Sequence, residues 1–257
     1  MPPVDDADLK ARRASSFGAA ARSYAEHRPH YPDAAVEWAL EPLRSRRIVR
    51  VLDLGAGTGR ITEALQRAEV DVIAVEPDPQ MRAAMLERVF GVAALAGTAE
   101  DIPLPDERVD AVVVGQAFHW FDHERAHPEI ARVLKPGGVL AAMWNTDDLR
   151  VPWVAEYAKR AGFGPRAHGN TAEPDSLLAD HPAFEPVQWH SFDHAHRRTA
   201  ESLVETVATY SAVLVLPEAE RSARLRSVRE YLESQPETAQ GEFDLPLVTR
   251  VGRAIRR

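Results

Sequence analysis

Along the first half of the chain, short apolar blocks alternate with stretches of helical periodicity. Residues 48–54 form a β-branched block of strand length, and a glycine-punctuated turn follows it. Arg60-Ile61-Thr62-Glu63-Ala64-Leu65 then sets Ile61, Ala64 and Leu65 on one helical face. Further strand blocks fall at residues 72–76, 109–117 and 139–144, with helical stretches between them. Asp78-Pro79 predicts a helix start, an N-cap residue followed by proline at the first helical position, with Met81 and Met85 sharing a face. Upstream, residues 32–43 predict a helix with Ala35, Val36, Ala39 and Leu40 inward. The alanine-rich residues 17–26 predict a shorter one, stopped near Arg28-Pro29 because a residue before proline avoids the helical region. Apolar strands alternating with helices predict an α/β fold, a parallel sheet covered on both faces.

The alternation lapses after Trp144-Asn145. Residues 147–180 are rich in proline, glycine and aspartate and predict loops with short helices. Beyond them the pattern predicts a strand over residues 187–196, helices over 200–213 and 217–234, and a closing strand over 247–255. The proline at position 128 predicts an interrupted helix ahead of Arg132.

The turn after the first strand carries the chemistry. Asp53-Leu54-Gly55-Ala56-Gly57-Thr58-Gly59 spaces its glycines as G-x-G-x-G, whereas a dinucleotide turn reads G-x-G-x-x-G. Gly55 and Gly57 allow a sharp turn and let a ligand approach bare main chain. The spacing makes no special provision for a pyrophosphate at the helix N-terminus. It suits a nucleoside with a charged amino-acid tail, whose amine Asp53 could hold.

This turn resembles the first motif of the class I S-adenosylmethionine-dependent methyltransferases, and four further segments agree in order. Val72-Ile73-Ala74-Val75-Glu76 is a strand ending in an acid. Gly97-Thr98-Ala99-Glu100-Asp101 resembles the family's adenine-side loop, and Val109 to Ala117 its fourth strand and exit. Arg132-Val133-Leu134-Lys135-Pro136-Gly137-Gly138-Val139-Leu140 resembles the helix, turn and fifth strand of small-molecule members. Gln116-Ala117-Phe118-His119-Trp120-Phe121, with Phe17, Tyr24, Arg28-Pro29 and Tyr31-Pro32, is similar to the trans-aconitate-type branch.

The resemblance implies a Rossmann-like fold, a mostly parallel seven-stranded sheet with an antiparallel last strand. It implies S-adenosylmethionine as cofactor, S-adenosylhomocysteine as product, and a small-molecule acceptor methylated at oxygen. The implied cofactor set is Tyr24, Arg28, Asp53, Gly55, Ala56, Gly57, Thr58, Glu76, Met81, Thr98, Ala99, Glu100, Gln116 and Ala117. Within it, Glu76 takes the ribose hydroxyls. The implied division is an N-terminal arm (1–31) folded over the cofactor, a binding core (32–146), and a cap-like segment with C-terminal strands (147–257) completing one domain.

Several features keep two meanings. His119 is placed to act as base toward a hydroxyl acceptor, or only to brace Trp120. Met81 could touch adenine or pack the core. Trp120, Phe121 and Trp144 follow strands four and five, where an open α/β sheet puts its ligands, yet they could equally be core. A carboxylate acceptor would want an arginine clamp, with Arg150, Arg166, Arg197 and Arg198 as candidates. His119, His123 and His127 are spaced by four, and His190, His194 and His196 cluster. Neither set has a cysteine or an obvious carboxylate partner, so no metal is expected.

Composition narrows the classes. A net charge of −8 argues against a nucleic-acid partner. With no cysteine, disulfides and thiolate metal sites are excluded, which fits a reducing cytoplasm. The start of the chain lacks the apolar segment of a signal peptide, and no stretch approaches the roughly 20 apolar residues of a membrane span. Two readings compete with the methyltransferase: a nicotinamide-dependent oxidoreductase, disfavoured by the glycine spacing, and a non-catalytic S-adenosylmethionine-binding protein. Acceptor identity and oligomeric state stay open.

Overall fold

The computed structural model describes residues 28–162 and 181–257. The helix expected over residues 17–26, with Tyr24, lies outside them, as does Arg166. Seven strands form one sheet: β1 (Arg50–Leu54), β2 (Asp71–Val75), β3 (Ala93–Leu95), β4 (Val109–Gly115), β5 (Leu134–Asp147), β6 (Gln188–Thr199) and β7 (Glu242–Ile255). Their order is β3-β2-β1-β4-β5-β7-β6. The first five are parallel neighbours. β7 runs antiparallel to β5: Arg256 N–H donates to Gly138 O at 2.8 Å near one end, and Asp148 N–H to Pro246 O at 3.0 Å near the other.

Among the described residues, four α-helices belong to this first half: α1 (Asp33–Leu40), α2 (Arg60–Arg67), α3 (Pro79–Leu86) and α4 (His123–Val133). Because successive strand residues point to opposite faces, each central strand feeds two cores. Val51, Ala111, Val113, Val139 and Ala141 pack with Ala35, Val36 and Ala39 of α1 and Ile61, Ala64 and Leu65 of α2. Leu52, Leu54, Val112, Val114, Leu140 and Ala142 pack on the other side with Ala126, Ile130 and Val133 of α4. α3 begins as its sequence dictates, with the Asp78 carboxylate accepting from Gln80 N and Met81 N at 2.8 and 2.9 Å.

α4 runs unbroken through Pro128, contrary to the expected interruption. Pro128 and Glu124, the residue four before it, are both exposed, so the carbonyl deprived of its helical donor faces water. In the later chain, α5 (Pro152–Ala161) is a short helix in the segment expected to hold such, α6 (Ala200–Ala208) and α7 (Ser211–Leu214) share the stretch expected as one helix, and α8 (Glu218–Ser234) matches the helix expected over 217–234. The helix expected over 200–213 breaks after Ala208, where Thr209 Oγ1 donates back to Thr206 O at 2.7 Å.

Two compact units result. One comprises His30–Thr146, Ala172–Asp193 and Val248–Arg257, and the other Met1–Pro29, Asp147–Thr171 and His194–Leu247, each in its described parts. The second has its own core, in which Val154, Tyr157, Leu203, Val207, Val228 and Leu232 meet Phe243, Leu245 and Leu247.

At the end of the sheet away from the glycine turn, the buried Asp110 gathers three donors. Arg50 N–H and Lys135 Nζ reach it at 2.9 and 3.0 Å, and Arg46 donates to it as well. Burial alone would raise its pKa, yet these bonds hold the carboxyl below its ordinary value. Its contribution is therefore present above the unfolded pKa of 3.8 and lost as pH falls through the lower folded value. Asp110→Ala is expected to lower the unfolding free energy at pH 7 by about 2 kcal/mol in urea titration. A loss below about 0.5 kcal/mol would show that the cluster behaves as an exposed ion pair.

Candidate active site

The β1–α2 turn is built so that main chain does the work. Gly55 N–H and Ala56 N–H both donate to Val75 O, at 2.9 and 3.1 Å, which ties the turn to the end of β2. Gly55 has a φ of 71°, and a Cβ placed on it would sit 2.8 Å from the Ala117 methyl. Only glycine fits there. Gly57, with a φ of 56°, has nothing within 4 Å of the position its Cβ would take. The turn is therefore tight on one flank and open at its crest.

Three polar side chains surround that crest. Asp53, wholly buried at the end of β1, accepts from Thr62 Oγ1 at 2.5 Å through one oxygen. Its other oxygen is buried without a hydrogen bond, and so is Thr58 Oγ1. Burial lifts the Asp53 carboxyl to about 7, against the lowering effect of the Thr62 bond, and the nearby Glu76 charge adds to the rise. Glu76 at the exit of β2 accepts from Gly57 N–H at 2.8 Å and Asp78 N–H at 2.9 Å. Burial raises its pKa too, although both bonds oppose that.

The remaining expected residues line up along the strand exits. Met81, 5 % exposed, packs at the start of α3, and Ala99 is buried after β3. Thr98 bridges to Asp101, and Glu100 accepts from Asp122 N–H at 2.8 Å. Gln116 and Ala117 leave β4, Gln116 with a left-handed φ of 56°. His119 lies in the 3-10 turn Phe118–Trp120, its ring 4.8 Å from that of Trp120. Trp144 is core, 6 % exposed and packed against Phe118 and Trp189.

The structure brings Asp53, Gly55, Ala56, Gly57, Thr58, Glu76, Gln116 and Ala117 into one connected arrangement. Arg28 belongs to the second compact unit, where its guanidinium lies 4.3 Å over the Tyr210 ring. Of the expected arginine clamps, Arg150 holds Asp148 at 2.7 Å and Arg197 holds Asp244 at 3.3 Å. Arg198 donates to Ser202 O and Thr206 Oγ1. The histidines divide as well: His127 stacks on His181 at 5.0 Å, and His190 on Trp38 at 5.5 Å. Among the described residues no three His, Asp or Glu side chains could hold a metal ion together. Two residues escaped the sequence reading. Thr62 supports Asp53 from an otherwise apolar helix face, which was a readable signal. Asn145, whose carbonyl accepts from Gln116 Nε2 at 2.7 Å, gave none.

A parallel sheet with this strand order, a G-x-G-x-G turn and an acid at the end of β2 together define a methyltransferase site. The chain belongs to the class I S-adenosylmethionine-dependent methyltransferases. Residues 52–142 match the methyltransferase domain family. An uncharacterised methyltransferase of Mycobacterium tuberculosis is 42% identical over 243 residues, covering 93% of this chain and 95% of that protein. Another, from Schizosaccharomyces pombe, is 32% identical over 229 residues, covering 86% and 90%. A type II methyltransferase structure from Anaeromyxobacter dehalogenans superposes with a TM-score of 0.63 at 28% identity, covering 89% of this chain and 96% of that one.

The family uses S-adenosylmethionine, and the residues present fit it. A bare carboxylate oxygen, a buried unsatisfied hydroxyl and an open glycine crest are what an ammonium-bearing nucleoside would satisfy.

The Asp53 carboxyl also sets a pH dependence. A buried acid whose folded pKa is about 7, against 3.8 unfolded, stabilises relative to other states only while protonated. Its contribution falls as pH rises from the unfolded value through the folded one. Asp53→Asn removes the ionisation and keeps an acceptor for Thr62. Between pH 5 and 8 the ligand-free native chain is expected to lose about 2.6 kcal/mol of stability relative to this variant, at close to 1.4 kcal/mol per unit until pH nears the folded pKa. Parallel pH profiles in urea would refute the raised pKa.

Proposed function

We propose that this protein transfers a methyl group from S-adenosylmethionine to an oxygen, hydroxyl or carboxylate, of a small-molecule acceptor. The observation that carries the reading is the pair of unsatisfied buried atoms, Asp53 Oδ1 and Thr58 Oγ1, beside the open crest at Gly57. Bound there, the cofactor would supply a methyl already activated by a sulfonium, which leaves as a neutral thioether. Asp53 and Thr58 would receive the amino-acid end, and Glu76 would accept from the ribose hydroxyls through its remaining lone pairs. Met81 and the 98–100 turn would flank the adenine. Gly55, Ala56, Gln116 and Ala117 would complete the wall. Tyr24 and Arg28, on an arm comprising residues 1–31, would close on the cofactor's carboxylate. Residues 32–146 would then act as the binding core.

The protein's task in such a displacement is geometric: hold the acceptor oxygen in line with the methyl and keep water away. A carboxylate acceptor needs no base. For a hydroxyl, His119 would take the proton as the new bond to carbon forms. Oxygen methylation draws support from a relative of stated chemistry, the malonyl-[acyl-carrier protein] O-methyltransferase of Enterobacter lignolyticus. It is 34% identical over 160 residues, covering 60% of this chain and 62% of that one.

Calorimetry with S-adenosylmethionine, S-adenosylhomocysteine and NADH tests the cofactor. Micromolar binding of the first two alone is expected, and binding of NADH alone would overturn the reading. With an acceptor found by screening hydroxy and carboxylic acids, His119→Ala is expected to slow methylation of a hydroxyl by about 100-fold while leaving S-adenosylhomocysteine binding intact. Near-normal turnover would remove His119 from the chemistry.

A further inference from the structure

Gln116 stands in a backbone conformation that a glutamine rarely adopts, at the point where β4 ends. Such a residue persists only where its surroundings over-determine it. Here they do so from several sides. Gln116 N–H donates to Met143 O at 3.0 Å, and its side-chain Nε2 donates to Asn145 O at 2.7 Å. Both bonds reach β5, two residues apart. Asn145 is anchored in turn: its Oδ1 accepts from Thr249 Oγ1 and its Nδ2 donates to His30 O at 3.2 Å.

The two neighbours of Gln116 explain what this anchorage holds. Gly115 leaves no room for a side chain, since a Cβ there would lie 2.8 Å from the Tyr31 hydroxyl and closer still to Ile61. Ala117 and the Phe121 ring close the flank of Gly55, since a Cβ on Gly55 would lie 2.8 Å from the Ala117 methyl and 3.6 Å from that ring. The left-handed turn at Gln116 thus swings the chain off one packing surface and seats Ala117 against the glycine turn. The side chain itself is committed to β5.

We propose that Gln116 is a positioning residue for cofactor binding. Its amide, bonded to Asn145 O, locks the β4 exit so that Ala117 holds Gly55 and the turn following it in the shape that receives the nucleoside. This inference rests on the cofactor reading above, in which Gln116 would line the wall through its main chain while its amide serves β5.

Three variants separate this role from a purely structural one. Q116E keeps the length but cannot donate. Q116N tolerates a left-handed backbone but is one carbon too short to reach Asn145 O. Q116G relieves the backbone and lacks the amide altogether. With S-adenosylhomocysteine as the probe, each is expected to bind at least fivefold more weakly than the native chain. Q116N and Q116G are expected to keep or raise the melting temperature, a pattern that loss of fold would not produce. If Q116E unfolds, Q116N and Q116G decide alone. Native binding accompanied by Q116N and Q116G affinities closer than fivefold would overturn the positioning role and leave the cofactor reading standing. Failure of the native chain to bind would instead overturn the cofactor reading, and this inference with it.

Discussion

The core of this protein is organised around a carboxylate kept dry with half of its hydrogen bonding unmet. Asp53 sits in a central, buried strand of the sheet, between Leu52 and Leu54, which have no exposure at all. An acid in that position costs stability whenever it ionises. The surrounding structure limits the cost from one side only, through Thr62. On the other side the second Asp53 oxygen and the Thr58 hydroxyl are buried without a hydrogen bond, beside a Gly57 that has open space where a side chain would stand. Stability has been given up at a place where a ligand can return it.

The elements around that carboxylate were legible because their physics is local. β1, β2 and β4 are largely buried on both faces and read as apolar blocks, interrupted only by Asp53 in β1, Asp71 at the start of β2 and Asp110 in β4. The Asp78-Pro79 start and the glycine turn are fixed by backbone requirements that few residues meet. Where tertiary partners decide, the sequence was mute. β7 begins at Glu242, five residues ahead of the expected strand, because Arg197 pairs with Glu242 and Asp244 and lets charged positions be strand. Gln116 could not be read as a left-handed residue, since its conformation is set by Met143 and Asn145 on another strand. Pro128 read as a helix break although its exposed setting tolerates it.

The later chain obeys another logic. Its helices bury Tyr157 completely with a hydroxyl that makes no hydrogen bond, and neighbouring charges compound the effect of burial in raising its pKa. Asp147 is likewise lifted by burial, to about 6, with Arg28 pulling the other way. Titratable groups gathered in an interior are seldom cheap, and sequence periodicity gives no hint of them because they are scattered along the chain.

Glu76 has a consequence for how fast the site can work. Both its oxygens are already bonded to the main chain, one to the glycine turn and one to the start of α3. The glycine turn is therefore braced by these two bonds in the ligand-free chain. Turnover in such a frame would be paced by the release of product from a fixed seat, and a mutation that loosened the frame could speed departure even as it weakened the hold.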